Sequence, residues 1–243
     1  MRPKIYLFGD SITEASFCDG GWGSSLAHHF CRTVDVVLRG YSGYNTRWAL
    51  KVAEKVFPAV KGGGGGGDEG APIAVTVFFG ANDACLPDRC SAFQHVPIHE
   101  YKQNLQSIVS FLKNQWPTTL ILLITPPPID EEARIKHPYV ENPTGQPERT
   151  NEAAGAYAKA CTEVSRELGL PVIDLWTKMQ QLPDWKKAYL SDGLHLNQTG
   201  NRVVFEEVVM KLNEKGLSLE KLPVDLPLIS EIEPNNPLKA FEK

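Results

Sequence analysis

The sequence predicts an α/β protein built on a parallel sheet with helices on both faces. Five short apolar runs read as buried strands and alternate with longer stretches of helical periodicity, the order that makes such a sheet. The first three runs each end in a turn of small or polar residues, at the strand edge where open α/β sheets hold their ligands. The length, 243 residues with 42% hydrophobic and 22% charged, suits one domain of the larger α/β kind.

The first strand is Ile5-Tyr6-Leu7-Phe8, which runs into Gly9-Asp10-Ser11-Ile12-Thr13. Gly9 lets the chain turn tightly, and Ser11 then projects from the strand end. Alone, Asp10-Ser11 is better read as a helix cap. A loop of small residues, 18–23, precedes a helix expected from Ser24 to about Arg32. The second strand, Val34 to Arg39, ends in the turn Gly40-Tyr41-Ser42-Gly43-Tyr44-Asn45, and helical spacing follows from Trp48 to Pro58. Residues 62–67 are all glycine. They formally contain G-x-G-x-x-G, but lie after a helix and before a strand, the reverse of a dinucleotide fingerprint. The expectation is a flexible surface loop over 61–70.

Ile73 to Phe79 is the strongest strand, and it ends in Gly80-Ala81-Asn82-Asp83. A helix over His99–Gln115 and a strand over Leu120–Ile124 follow, stopped by Pro126-Pro127-Pro128. Residues 126–148 are polar and proline-rich and read as a loop over the strand ends. A long helix from about Glu148 to Leu168 with its cap at Gly169, a short strand Val172–Leu175 and a short helix and loop over 176–190 come next. Ser191-Asp192-Gly193-Leu194-His195 leads into a last helix ending near Leu212. The tail, 216–243, carries several prolines and acids and reads as extended and loosely docked, outside a catalytic unit of 1–215.

Ser11, Gly43 and Asn82 thus follow strands one, two and three, on one edge of a parallel sheet. Together they supply a nucleophile and N–H donors for an oxyanion. Asp192 and His195, three residues apart, supply a base and the acid that orients it. Alone, His195 also reads as a half-buried histidine near a helix start.

These blocks resemble the SGNH/GDSL hydrolase family. Its Ser, Gly, Asn and His fall in order on Ser11 of Gly9-Asp10-Ser11, on Gly43, on Asn82 of Gly80-Ala81-Asn82-Asp83 and on His195 of Asp192-Gly193-Leu194-His195. The likeness covers roughly residues 4–212. Within the family the chain is similar to the short, unsecreted isoamyl acetate-hydrolysing esterases in their plant form, through Arg39–Arg47 and His95-Val96-Pro97. The resemblance implies a flavodoxin-like, three-layer α/β/α fold with a five-stranded parallel sheet. It implies an acyl-enzyme route with catalytic Ser11, Asp192 and His195 and an oxyanion hole of Ser11, Gly43 and Asn82. Asp10 and Asp83 are expected to brace their turns.

The expected activity is hydrolysis of small carboxylic esters, acetates foremost. A carbohydrate deacetylase or lysolipid esterase is the alternative, and a catalytically dead binding module on the same fold is a more distant one. No cofactor or metal is expected. Pro97 between His95 and His99 spoils a shared helix face, and no C-x-x-C pair offers a zinc site. Cys85 and Cys90 near Asn82 leave a redox pair as a secondary reading. Trp22, Trp176 and Trp185 read as pocket lining or core. The net charge of -4 and lack of a basic stripe argue against a nucleic-acid partner, and no run is long enough to anchor the chain in a bilayer. The five scattered cysteines and lack of a recognisable leader point to a cytosolic protein, in which the sequon at Asn197 stays unused.

Overall fold

The computed structural model describes residues 2–58 and 70–242. The glycine run, and most of the loop expected around it, lies outside the described residues. Among those described, five parallel strands form one sheet: β1 (Lys4–Gly9), β2 (Asp35–Gly40), β3 (Ala74–Phe78), β4 (Leu120–Ile124) and β5 (Val172–Ile173), in the order β2-β1-β3-β4-β5. β1 at the middle of the first three is flanked by the two strands whose ends carry Gly43 and Asn82. At its carboxyl end Gly9 sits level with Gly40 on one side and Phe78 on the other.

After β1 come α1 (Ser11–Glu14) and α2 (Trp22–His29). α3 (Thr46–Val56) follows β2, and α4 (Ile98–Gln115) lies between β3 and β4. Then come α5 (Glu131–Lys136), α6 (Asn151–Leu168), α7 (Leu175–Met179), α8 (Trp185–Tyr189) and α9 (Gln198–Glu214). Two cores separate them into layers. On one face Ile5, Leu7, Phe78 and Leu122 pack against Trp22, Leu26 and Phe30 of α2 and its end, and against Val204, Val208 and Leu212 of α9. On the other, Phe8, Val77, Ile121 and Leu123 pack against Leu105, Ile108 and Leu112 of α4 and Tyr157 and Val164 of α6. β3 is buried along its whole length, which is why it carries no polar alternation. Each large apolar side chain so enclosed contributes about 1.5–3 kcal/mol of burial.

Some boundaries differ from the sequence reading. α2 starts at Trp22 and ends at His29, because Trp22 is fully buried against the sheet and Arg32 takes a left-handed backbone, φ +67°. The last strand stops at Ile173, because the Asp174 side chain accepts the N–H of Thr177 and starts α7 at Leu175. The segment 126–148 is more than a loop over the strand ends: it holds α5 and buries Arg134 and Glu148. The tail is tied to the body at Asp225, whose carboxylate accepts from Arg2 (2.5 Å) and Arg32 (3.3 Å). Trp22 belongs to the core, and Trp176, partly buried, packs on the same cluster.

Candidate active site

The site lies at the carboxyl ends of β1, β2 and β3. Asp10 caps α1, its Oδ1 accepting the N–H of Ile12 at 3.0 Å. Ser11 is therefore the first helical residue, and its N–H has no intrahelical acceptor. The turn is compressed: a Cβ on Gly9 would lie 2.0 Å from Thr13 Oγ1 and 2.6 Å from the Phe78 carbonyl, and one on Gly40 would lie 2.0 Å from the Glu14 nitrogen. Glycine at both strand ends is what allows α1 to cross them.

Ser11 Oγ lies 2.9 Å from His195 Nε2, and His195 Nδ1 lies 2.8 Å from Asp192 Oδ2. The other oxygen of Asp192 accepts the backbone N–H of His195 at 2.8 Å and of Leu194 at 3.0 Å. Burial alone would raise the Asp192 pKa, but the hydrogen bond and charge of His195 and the two N–H groups hold it well below the usual carboxylate range. The loop is closed by the Ser191 N–H, which donates to the His195 carbonyl at 2.8 Å. Gly193 takes φ +88° within it.

Gly43, at φ +78°, ends the β2 turn, and Asn82 ends the β3 turn. Gln94 joins them: its Nε2 donates to the Gly43 carbonyl at 2.9 Å and to Asn82 Oδ1 at 3.2 Å. Asn82 Nδ2 donates to the Tyr44 carbonyl at 2.8 Å, which leaves its second N–H uncommitted among the described residues. Buried Arg149 donates to Asn82 Oδ1 at 2.9 Å. The structure thus joins Ser11, His195 and Asp192 in one hydrogen-bonded chain and links Gly43 to Asn82 at the neighbouring strand ends.

Asp83 is fully buried and accepts from the Thr46 N–H (3.0 Å) and hydroxyl (2.5 Å), bracing the start of α3. Burial pushes both Asp83 and Asp10 up to about 7. The sequence reading gives no site role to Gln94, Arg134, Glu148 or Arg149, and it starts the long helix at Glu148, whereas α6 starts at Asn151 because the Thr150 hydroxyl accepts the Ala153 N–H and caps it there; the adjacent charges Glu148-Arg149 just ahead of that start were the available signal. All five cysteines are free. Cys85 is buried and its thiol is pushed up to about 12, which makes it a poor nucleophile. Among the described residues no group of three or more His, Cys, Asp or Glu side chains is placed to hold a metal ion, and no helix is long and apolar enough to cross a membrane. Asn197 caps α9 and donates its amide to the Ala188 carbonyl at 3.0 Å.

Known proteins resemble this chain along most of its length. A family model described as GDSL-like Lipase/Acylhydrolase matches residues 5–208. A GDSL esterase/lipase of Arabidopsis thaliana is 67% identical over 243 residues, which cover 100% of this chain and 99% of the relative. An isoamyl acetate-hydrolyzing esterase 1 homolog of Rattus norvegicus is 44% identical over 235 residues, 96% of this chain and 91% of the relative. A crystal structure of a lipase/acylhydrolase from Enterococcus faecalis superposes with a TM-score of 0.67 at 27% identity, covering 93% of this chain and 100% of that one.

Proposed function

The chain belongs to the GDSL-like lipase/acylhydrolase family and is a carboxylic ester hydrolase, and from that premise we propose that it cleaves small esters, acetates foremost, through an acyl-enzyme on Ser11. The observation that carries the reading is the chain Ser11 Oγ–His195 Nε2–His195 Nδ1–Asp192 Oδ2, at 2.9 and 2.8 Å. Ser11 Oγ attacks the ester carbonyl as its proton passes to His195 Nε2. The N–H groups of Ser11 and Gly43 and the free N–H of Asn82 hold the oxyanion. His195 then gives the proton to the leaving alkoxide, and the alcohol departs. Water attacks the acyl-Ser11 by the same route, with His195 as base, and releases the acid. Asp192 orients the imidazole and balances its charge when protonated. No cofactor enters any of these steps.

The small-ester preference is supported by the isoamyl acetate-hydrolyzing relative. In the same reading residues 1–215 form the hydrolase unit and 216–243 an appended tail. The free cysteines motivate a cytosolic location, and the Arabidopsis relative a plant source. A fluorophosphonate should label the protein once, at Ser11, and Ser11→Ala should lose both the label and about 10⁴-fold or more in kcat. A series of p-nitrophenyl esters from acetate to palmitate should peak at short chains. Persistent labelling of Ser11→Ala overturns the nucleophile, and a peak at long chains with a jump at micelle formation overturns the small-ester preference.

A further inference from the structure

Three buried charges, Arg134, Glu148 and Arg149, run beneath the site and end on both of its halves. Their side chains are 3%, 1% and 2% exposed. Arg134 Nη1 donates to Asp192 Oδ2 at 2.9 Å, the same oxygen that faces His195 Nδ1. Arg134 Nη2 donates to Glu148 Oε1 at 2.5 Å, and Arg149 Nη1 donates to that same oxygen. Arg149 Nη2 reaches Asn82 Oδ1 and Gln94 Oε1, each at 2.9 Å, and its Nε reaches the Ala81 carbonyl at 2.8 Å. Glu148 Oε2 is held by the Ser91 hydroxyl at 2.9 Å.

We propose that Arg134 and Arg149, clamped on Glu148, are positioning residues that hold the carboxylate of Asp192 and the amide of Asn82 in one rigid frame. The proposal rests on the roles assigned to those two residues above. Buried ion clusters are seldom more stabilising than apolar side chains of the same volume. Here each cation has one arm on Glu148 and another on a group of the site, which gives the cluster a use beyond stability. Asn82 shows the effect most clearly. An amide can present either end, but a guanidinium on Oδ1 forbids the flipped form, which would turn an NH₂ toward a cation. The orientation leaves the free Asn82 N–H for the oxyanion. A cation on Oδ1 also draws electron density from the nitrogen and makes that N–H a stronger donor. Arg134 acts on the other half. It holds the same Asp192 oxygen that faces His195 Nδ1, and so fixes the rotation of the carboxylate and the direction of the imidazole it orients.

The test uses the full chain, with active-site concentration counted by the end point of fluorophosphonate labelling. Arg149→Met should lower kcat about 10²-fold with KM within about threefold, as expected for a misaligned oxyanion donor. In an Asn82→Ala background the same change should cost little more, because Arg149 acts through Asn82. Arg134→Met should lower kcat at least about tenfold with KM within about threefold, as expected for a misoriented base, and Arg134→Lys, which keeps a donor for Asp192, should recover part of the loss. Should Arg149→Met fail to fold, Arg149→Lys is read instead. One ammonium cannot reach Glu148, Asn82, Gln94 and the Ala81 carbonyl together, so about a tenfold loss in kcat is expected. Wild-type kcat in a folded Arg149 variant, a full multiplicative loss in the Asn82→Ala background, or wild-type kcat in a folded Arg134→Met overturns the proposal. A near-normal kcat in Asn82→Ala alone overturns the oxyanion role on which it stands, and the two failures are thereby distinct.

Discussion

The nucleophile turn and the acid–base loop are built in opposite ways. Ser11 is set by its own neighbourhood: Gly9 and Gly40 remove side chains where α1 crosses the strands, and Asp10 caps the helix two residues on. His195 is set by distant chain. Its carboxylate partner is held by Arg134, 58 residues earlier, and the Asp130 N–H donates to the Gly193 carbonyl at 2.9 Å. Charge follows the same division. Fully buried Asp10 and Asp83 beside the first turn are pushed up to about 7, whereas Asp192, ringed by donors, is held below its usual range. The difference teaches that half of this site is a property of strand ends, and half is a property of how a later segment docks.

Among the variants that compare the two halves, the largest effect on activity is expected at Asn82. Asn82→Ala should lower kcat by about 10²–10³, and should also lower the urea midpoint, by about 1–3 kcal/mol of stability, because it takes an acceptor from buried Arg149 and Gln94 and a donor from the Tyr44 carbonyl. A near-normal kcat in a folded protein would remove Asn82 from the oxyanion hole and leave the strand-end half with backbone donors only.

Two glycines separate the halves directly. A Cβ on Gly9 meets the Phe78 carbonyl at 2.6 Å, inside the sheet, where nothing can give. Gly9→Ala should cost about 3 kcal/mol in urea unfolding, at the top of the range for overpacking. A Cβ on Gly193, whose φ is +88°, meets the Asp130 carbonyl at 2.5 Å and the Arg134 nitrogen at 2.9 Å, backbone at the start of α5 and outside the sheet. Gly193→Ala should therefore cost about 1–2 kcal/mol in stability and at least tenfold in kcat, on the order of a misplaced catalytic group. Equal stability losses at the two positions, with unchanged kcat for Gly193→Ala, would erase the distinction.

What could be read in advance follows the same line. Ser11, Gly43, Asn82, Asp192 and His195 each stand in a short motif at a strand end or loop, so a local pattern carried them. The five strands were legible for a similar reason: buried parallel strands are apolar without interruption. Segment 126–148 was not. Glu131, Glu132 and Lys136 make α5 look solvated, and only its docking shows that Arg134 is buried. Its partners lie 14 and 58 residues away, with no periodicity to announce them. Gln94 is invisible for the same reason, since it bridges Gly43 and Asn82 across separations of 51 and 12 residues. Hydrogen bonds between loops leave no trace in sequence order.

The opposite carboxyl shifts give the comparison a pH signature. Asp10 and Asp83 have raised folded values, so their contribution is fully present below the unfolded value, near 4, and is lost as pH rises to about 7. Asp192 has a depressed folded value, so its contribution is present above about 4 and lost as pH falls further. Stability should therefore be greater near pH 5 than at pH 7.5. Asp83→Asn keeps an acceptor for Thr46 and abolishes one ionisation, so it should gain about 2 kcal/mol on the wild type between those two values. Urea unfolding at both pH values is the measurement. Parallel curves for wild type and variant would show that Asp83 is already ionised at pH 5.

The smallest effect is expected from the glycine run, residues 62–67. It connects the end of α3 at Val56 to the start of β3 at Ala74. The site occupies the carboxyl ends of the strands, and a connection from a helix into a strand reaches the sheet at the opposite edge. Neither half of the site is expected to depend on it. Six glycines also bring no side chain to pack, so their removal deletes no buried apolar surface. What changes is the entropy of closing the connection, which varies only with the logarithm of its length. Removing four glycines should therefore shift stability by about 1 kcal/mol or less and leave kcat and KM on p-nitrophenyl acetate unchanged. Thermal unfolding and steady-state kinetics of the shortened protein check both. A large fall in kcat would mean that a third region supports the site, one that neither strand ends nor the docking of α5 accounts for.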